Sequence, residues 1–163
     1  MFTIYSADCT GSAANCLYPH KTEVHSEEDF SRAVSRDYVC AAYKGGYRGN
    51  DNYLESNCLA FDVDNESENP EDWVTPEKLR ALLPGVRFAV HFSRNHMKEK
   101  NGKAPRPKFH VFFPVEPIKD PAAYRAWKQR VWQRFPFFDK GALDAARFFF
   151  GTENPSVEIY PGE

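Results

Sequence analysis

The chain has no apolar run that approaches membrane-spanning length, and its first residues lack a signal-peptide pattern. No membrane-spanning helix is expected, and the expected compartment is the cytoplasm. Regular cysteine spacing is also missing. Cys9, Cys16, Cys40 and Cys58 follow no disulfide or CxxC pattern. Cys9, Cys16 and His20 make only a partial zinc set with no spacing rule behind it. There is no internal repeat and no low-complexity stretch. Neither GxxxxGK nor GxGxxG occurs, which argues against a P-loop or Rossmann protein.

What is present describes one globular domain. A length of 163 residues, 42% hydrophobic and 27% charged, suffices for a substantial core, and 14 phenylalanines enrich it in aromatics. The net charge of −2 is small, but its distribution is uneven. Acids crowd residues 62–77, whereas Arg94, Lys98, Lys100, Lys103, Arg106 and Lys108 follow one another with Glu99 as the single acid among them. An acidic pocket beside a basic stretch suits a metal-dependent enzyme acting on polyphosphates.

The chain is organised around Leu59-Ala60-Phe61-Asp62-Val63-Asp64-Asn65. It reads as a buried strand ending in two carboxylates. Side chains alternate along a strand, so Asp62 and Asp64 share a face while Phe61 and Val63 turn into a core. Two acids roughly 6–7 Å apart repel each other, and a shared divalent cation relieves that repulsion. Oxygen-only ligands point to Mg²⁺ or Mn²⁺. The same residues also suit a strand running into a polar turn.

Around this strand the pattern alternates. Phe2 to Tyr5 is a strand followed by a loop. Ser26 caps a helix to about Arg36, with Asp29 at its N3 position. Residues 38–43 read as one strand, and Lys44 to Asn52 as a glycine-rich loop in which Lys44 and Arg48 could approach a phosphate backbone. Thr75-Pro76 opens a second helix that Pro84-Gly85 ends. Strands at 86–93 and 108–115 flank the basic loop, and the latter places Lys108, His110 and Phe112 on one face. Asp120-Pro121 opens the longest helix, to about Arg134. Residues 140–149 read as a short helix or irregular loop, and 157–160 as a last strand. Phe148-Phe149-Phe150 reads as core more readily than as a stacking platform.

Apolar strands carrying Asp62/Asp64, His110 and Asp139 resemble the motifs of the archaeo-eukaryotic primase superfamily, the primase-polymerases. The resemblance is to the phage and mobile-element type and spans about residues 38–152. Its phrases are Phe61-Asp62-Val63-Asp64-Asn65, Pro105 to Phe113, and Phe138-Asp139 through Phe148. It implies an α+β fold, an RRM-like mixed or antiparallel sheet with flanking helices. The whole chain would be one catalytic domain, an N-terminal α/β part to about residue 58 preceding the RRM-like part.

The activity implied is DNA-templated nucleotidyl transfer from NTP or dNTP, with two Mg²⁺ or Mn²⁺ ions, in the replication of a phage or mobile element. Asp62, Asp64 and Asp139 would be the metal ligands, with Asp144 the alternative third. His110 would contact the nucleotide phosphates, with Lys108, Arg106, Ser93, Arg94 and His96 as further nucleotide contacts. Lys44, Arg48, Lys98, Lys100, Lys103 and Arg147 would meet nucleic acid. The expected partners are a single-stranded DNA template, NTP or dNTP, and a helicase domain or protein. Lys108 stands where the second motif usually has a small residue.

Two other readings remain open at this point. Asp62-Val63-Asp64 also resembles the nucleophile motif of haloacid-dehalogenase phosphatases, though that motif usually lies on the first strand. A non-catalytic RRM-like module binding single-stranded or origin DNA is the other. For Asp139, a plain helix N-cap is the structural alternative; for His110, a core histidine.

Overall fold

The computed structural model describes residues 1–163 as an α+β fold built on two antiparallel sheets. Strands β1 (Phe2–Ser6), β2 (His20–Val24), β3 (Tyr38–Val39) and β8 (Phe148–Phe149) form the smaller sheet, in the order β2-β1-β3-β8. The larger follows the order β4-β5-β7-β6-β9, from β4 (Ala42–Tyr43), β5 (Tyr53–Val63), β7 (Phe109–Ile118), β6 (Phe88–Phe92) and β9 (Val157–Tyr160). Helices α1 (Glu27–Val34), α2 (Pro76–Leu82) and α3 (Pro121–Arg134) complete the fold.

Each helix begins where a polar side chain satisfies a free backbone N–H. Ser26, Thr75 and Asp120 accept from Asp29, Lys78 and Ala123 at 3.2, 3.2 and 3.0 Å. Pro76 and Pro121 stand at the first helical positions, where no N–H is needed.

Strand β5 is buried on both faces, and its period-two alternation builds two cores. Leu59, Phe61 and Val63 join Phe88, Val90, Phe109, Val111, Leu79 and Tyr124 on the side of α2 and α3. Cys58 and Ala60 join Ala89 and Phe112 on the other, packed on Ile4, Tyr38 and Phe149 of the smaller sheet and on Phe30 of α1. A fully buried Phe contributes about 2–3 kcal/mol, so the larger sheet is clamped from both sides.

Three expectations from the sequence are corrected. The strand expected over 38–43 is two: β3 joins the smaller sheet and β4 the larger, so Cys40–Ala41 is the crossing between layers. The loop expected after β1 contains β2, whose exposed alternation reflects an edge strand with one covered face. Residues 140–149 hold a short 3₁₀ turn, Lys140–Ala142, and then β8. Residue 58 lies within β5, and β8 joins the sheet of β1, β2 and β3. No helix is long and apolar enough to cross a membrane.

Candidate active site

Asp62 is paired in register with His110 on β7, and His110 with His91 on β6. Alternation points these three into the space between the sheets. Toward the Val63 end of β5 that space opens into a cavity of about 240 Å³, lined by Asp62, Asp64, Lys108, His110, Arg147 and the Phe148–Phe150 segment, with Ser93, Arg94 and Lys100 at its rim.

Asp62 is only 6% exposed. One of its oxygens accepts from Arg147 Nη2 at 2.8 Å, and the other lies 3.1 Å from His110 Nε2. Burial raises its carboxyl above the usual range, and the Arg147 guanidinium pulls it back. Asp64 lies just past the end of β5 and is raised by burial and then by Asp62; Lys108 Nζ is 3.9 Å away. Burial, with the Arg147 charge beside it, lowers the His110 ring to about 3, so at neutral pH it is uncharged.

The turn after Asp64 depends on Asn65. Its φ of 51° is left-handed, a conformation asparagine tolerates. Its amide donates to Val74 O and Pro107 O at 2.9 and 2.8 Å and accepts from Val74 N at 2.7 Å. The acidic loop is thereby tied to the strand bearing His110.

Asp139 N donates to Asp62 O at 2.9 Å, so Asp139 is anchored beside Asp62. The Asp139 carboxylate accepts from Gly141 N at 3.0 Å as a turn cap and shares a second cleft with Asp64. Asp144 lies instead behind the site, beside buried Lys128, Tyr43 and Tyr124. Lys128 donates to Ala142 O, and burial lowers its ammonium to about 8.

The expected basic contacts divide. Lys108, Lys100, Arg94 and Arg147 line the cavity, while Lys98, Lys100 and Lys103 line an adjoining groove with Asp64. Lys103 pairs with Glu66. Arg106 has a different task from the nucleotide contact expected. It is 1% exposed, donates to Asn65 O and Ser67 O at 3.0 Å each and stacks over Trp73, because the acidic loop's carbonyls need a donor. His96 accepts from Lys108 N at 3.1 Å and braces the basic loop. Ser93 Oγ accepts from Asn95 N at 3.3 Å. Arg48 donates to Ala146 O at 3.0 Å and covers Phe148, supporting the aromatic wall; Lys44 is exposed and away from the cavity. Of that wall, Phe149 is core, whereas Phe148 and Phe150 are half-buried in the cavity and Arg94 lies 3.9 Å over Phe150.

Residues the sequence did not single out complete the surroundings. Asp37, fully buried, accepts from the backbone N–H groups of Gly11, Ser12 and Gly151 at 2.8, 2.8 and 2.9 Å, joining three loops. Tyr38 and His91 lie directly behind His110. The one signal for His91 was its place on an apolar strand. Cys9, Cys16 and His20 form no site: His20 pairs with Asp8, and no group of three or more His, Cys, Asp or Glu side chains is arranged to hold a metal.

Two antiparallel sheets thus enclose a cavity lined by acids and bases. Among solved structures the chain is similar to the AEP domain of the cyanophage S-2L primase-polymerase (PrimPol, PP-N190), with a TM-score of 0.53 and 14% identity over 99% of this chain and 82% of that one. No family model and no curated protein matches the sequence.

Proposed function

We propose that the chain is a metal-dependent nucleotidyltransferase of the primase-polymerase kind, extending a primer on single-stranded DNA from NTP or dNTP. The observation that carries this reading is the convergence of Asp62 and Asp64 with Lys108, Lys100, Arg94, Arg147 and His110 around one cavity, on a fold shared with a phage primase-polymerase domain.

Asp62 and Asp64 are hard oxygen ligands facing one cavity, which fits a Mg²⁺ or Mn²⁺ whose other ligands are phosphates and water. Asp139 is held as a turn cap, so the three-carboxylate set is not gathered. Asp62 and Asp64 would hold the ion; when bound, it would polarise the α-phosphate and lower the pKa of the attacking hydroxyl.

The chain's own residues do the rest. Lys108, Lys100 and Arg94 neutralise the triphosphate by charge-assisted hydrogen bonds. His110, uncharged, donates a hydrogen bond without adding charge. The half-buried faces of Phe148 and Phe150 offer a nucleobase an apolar wall. The Lys98–Lys103 segment attracts the template backbone, and a helicase domain or protein is the partner such a primase would work beside.

The test is Mn²⁺-dependent incorporation of NTP or dNTP on a single-stranded template, with wild type and the Asp62→Ala/Asp64→Ala double variant. Incorporation by wild type alone is expected, with the variant still folded because Arg147, the partner Asp62 leaves behind, is about one-third exposed and can turn to water. One observation favours a second reading: both Asp62 oxygens are already engaged, by Arg147 and by His110. DNA binding by wild type with no incorporation would make the chain a non-catalytic single-strand-binding module. The phosphatase reading finds no support, since Asp62 lies on the fifth strand of the chain.

A further inference from the structure

An unbroken line of polar side chains runs through the core behind Asp62. Thr152 Oγ1 lies 2.8 Å from His91 Nε2, and His91 Nδ1 lies 2.8 Å from Tyr38 Oη. Tyr38 Oη is in turn 2.9 Å from His110 Nδ1, and His110 Nε2 is 3.1 Å from Asp62 Oδ1. Tyr38 and His91 are both 0% exposed, so water does not take part in their hydrogen bonding.

The tyrosine hydroxyl has one proton and faces two Nδ1 atoms. It donates to one ring and accepts from the other, so the two neutral imidazoles must carry opposite tautomers. Two directions along the line are conceivable. If Tyr38 donated to His91, His110 would keep its proton on Nδ1 and present a bare Nε2 lone pair to the Asp62 carboxylate. Two acceptors would then face each other in the core, since the Asp62 carboxylate is ion-paired with the Arg147 guanidinium at 2.8 Å. The opposite direction satisfies every atom. Thr152 donates to His91 Nε2, His91 Nδ1–H donates to Tyr38, Tyr38 donates to His110 Nδ1, and His110 Nε2–H donates to Asp62.

We infer that Tyr38, His91 and Thr152 are positioning residues that hold His110 as a neutral hydrogen-bond donor through Nε2, its other nitrogen permanently occupied. Tyr38 also fixes the ring plane, since a ring flip would exchange a hydrogen-bonded nitrogen for a carbon on both sides. The assignment of tautomers stands on the hydrogen-bond distances together with the burial of both rings, the one carboxylate they reach being already paired with Arg147; its effect on nucleotide handling rests on the function proposed above. Under that reading, the Nε2–H held by Asp62 is kept aimed at the cavity, where a nucleotide phosphate oxygen can replace the carboxylate as its acceptor.

The experiment is long-range ¹H–¹⁵N NMR of protein labelled in its histidine rings, near neutral pH, on wild type and Tyr38→Phe. Tyr38→Phe keeps the aromatic packing on Phe149 and removes only the hydroxyl. In wild type, His110 should carry its proton on Nε2 and His91 on Nδ1. In Tyr38→Phe, His91 should switch to Nε2–H, because Nδ1–H would be a buried donor without an acceptor while Nε2–H can donate to Thr152. A packing role alone would not move that signal. Incorporation at saturating nucleotide should fall about tenfold or more in Tyr38→Phe, as is usual when the partner orienting an active-site histidine is lost. Like tautomers on His91 and His110 in wild type, or no switch in Tyr38→Phe, would overturn the inference. The NMR result decides it even if wild type incorporates nothing, an outcome that would count against the proposed function instead.

Discussion

Arg147 Nη2 sits 2.8 Å from Asp62 Oδ2. The pair joins the segment leading into β8 to the end of β5, and so closes the two sheets over the carboxylate. Arg147 is about one-third exposed while Asp62 is nearly buried. Replacing it as Arg147→Met leaves a buried charge without its partner. A fully buried pair broken in this way costs about 3–5 kcal/mol; the exposure of Arg147 reduces the expected loss to roughly 2 kcal/mol in urea unfolding. The same variant should bind Mn²⁺ more tightly than wild type without nucleotide, read by electron paramagnetic resonance. Unchanged Mn²⁺ affinity would mean that the guanidinium does not compete for Asp62.

Gly151 follows the phenylalanine wall where the chain passes Arg36. A Cβ there would stand 2.2 Å from the Arg36 carbonyl carbon and oxygen, both backbone atoms that cannot rotate away. Gly151→Ala should destabilise by about 3 kcal/mol or more through overpacking, and should loosen the hydrogen bonds of Gly151 to Asp37 and of Thr152 to His91. A melting temperature within a degree of wild type would contradict the packing described.

Asn65 makes a graded series possible. Asn65→Gly keeps access to the left-handed backbone but loses the amide's three hydrogen bonds; Asn65→Ala loses both. Both should be destabilised, the alanine variant by about 1 kcal/mol more, from the cost of a left-handed φ in a residue with a Cβ. Thermal unfolding of the two variants side by side measures the difference directly.

Lys128 supplies a pH dependence. Burial first, opposed by nearby Cys40, Asp144 and Asp62, sets its folded pKa at about 8 against an ordinary 10.5. Between these values the unfolded chain holds more protons at this residue, so its contribution to stability rises with pH across about 8 to 10.5. Relative to Lys128→Met, wild type should gain stability over that window, up to about 3 kcal/mol at 1.36 kcal/mol per pH unit. Parallel stability curves for the two proteins would show that the ammonium does not titrate there.

The basic loop is tested by salt. Lys98→Gln and Lys100→Gln should each weaken single-strand binding, and each should flatten the slope of log K against log salt by about 0.7. Fluorescence anisotropy at a range of salt concentrations reads both effects. An unchanged slope would place the nucleic acid elsewhere.

How far the chain could be read in advance depended on the range of each interaction. Ser26, Thr75-Pro76 and Asp120-Pro121 announced the helices because capping is settled within four residues. Asp62 was recognisable because strand alternation is local. From sequence, Tyr38 belongs to one uniform strand, since nothing within residues 38–43 says that the chain changes sheets between them. Arg106 looked like one more base in a basic loop; its burial follows from the carbonyls of residues 65–67, distant in sequence and without any signature.

The carboxylates at the end of one apolar strand and the clustering of bases were determined by the sequence alone, because periodicity and composition need no knowledge of distant neighbours. Only the tertiary structure decided that Asp62 meets Arg147 and His110, that Asp139 rather than Asp144 stands beside Asp64, and that Tyr38 and His91 stand behind His110. Those pairings join residues from separate strands and loops. They exist because two sheets, each needing to bury an apolar face, close on one another and leave the polar ends of their strands at a common mouth.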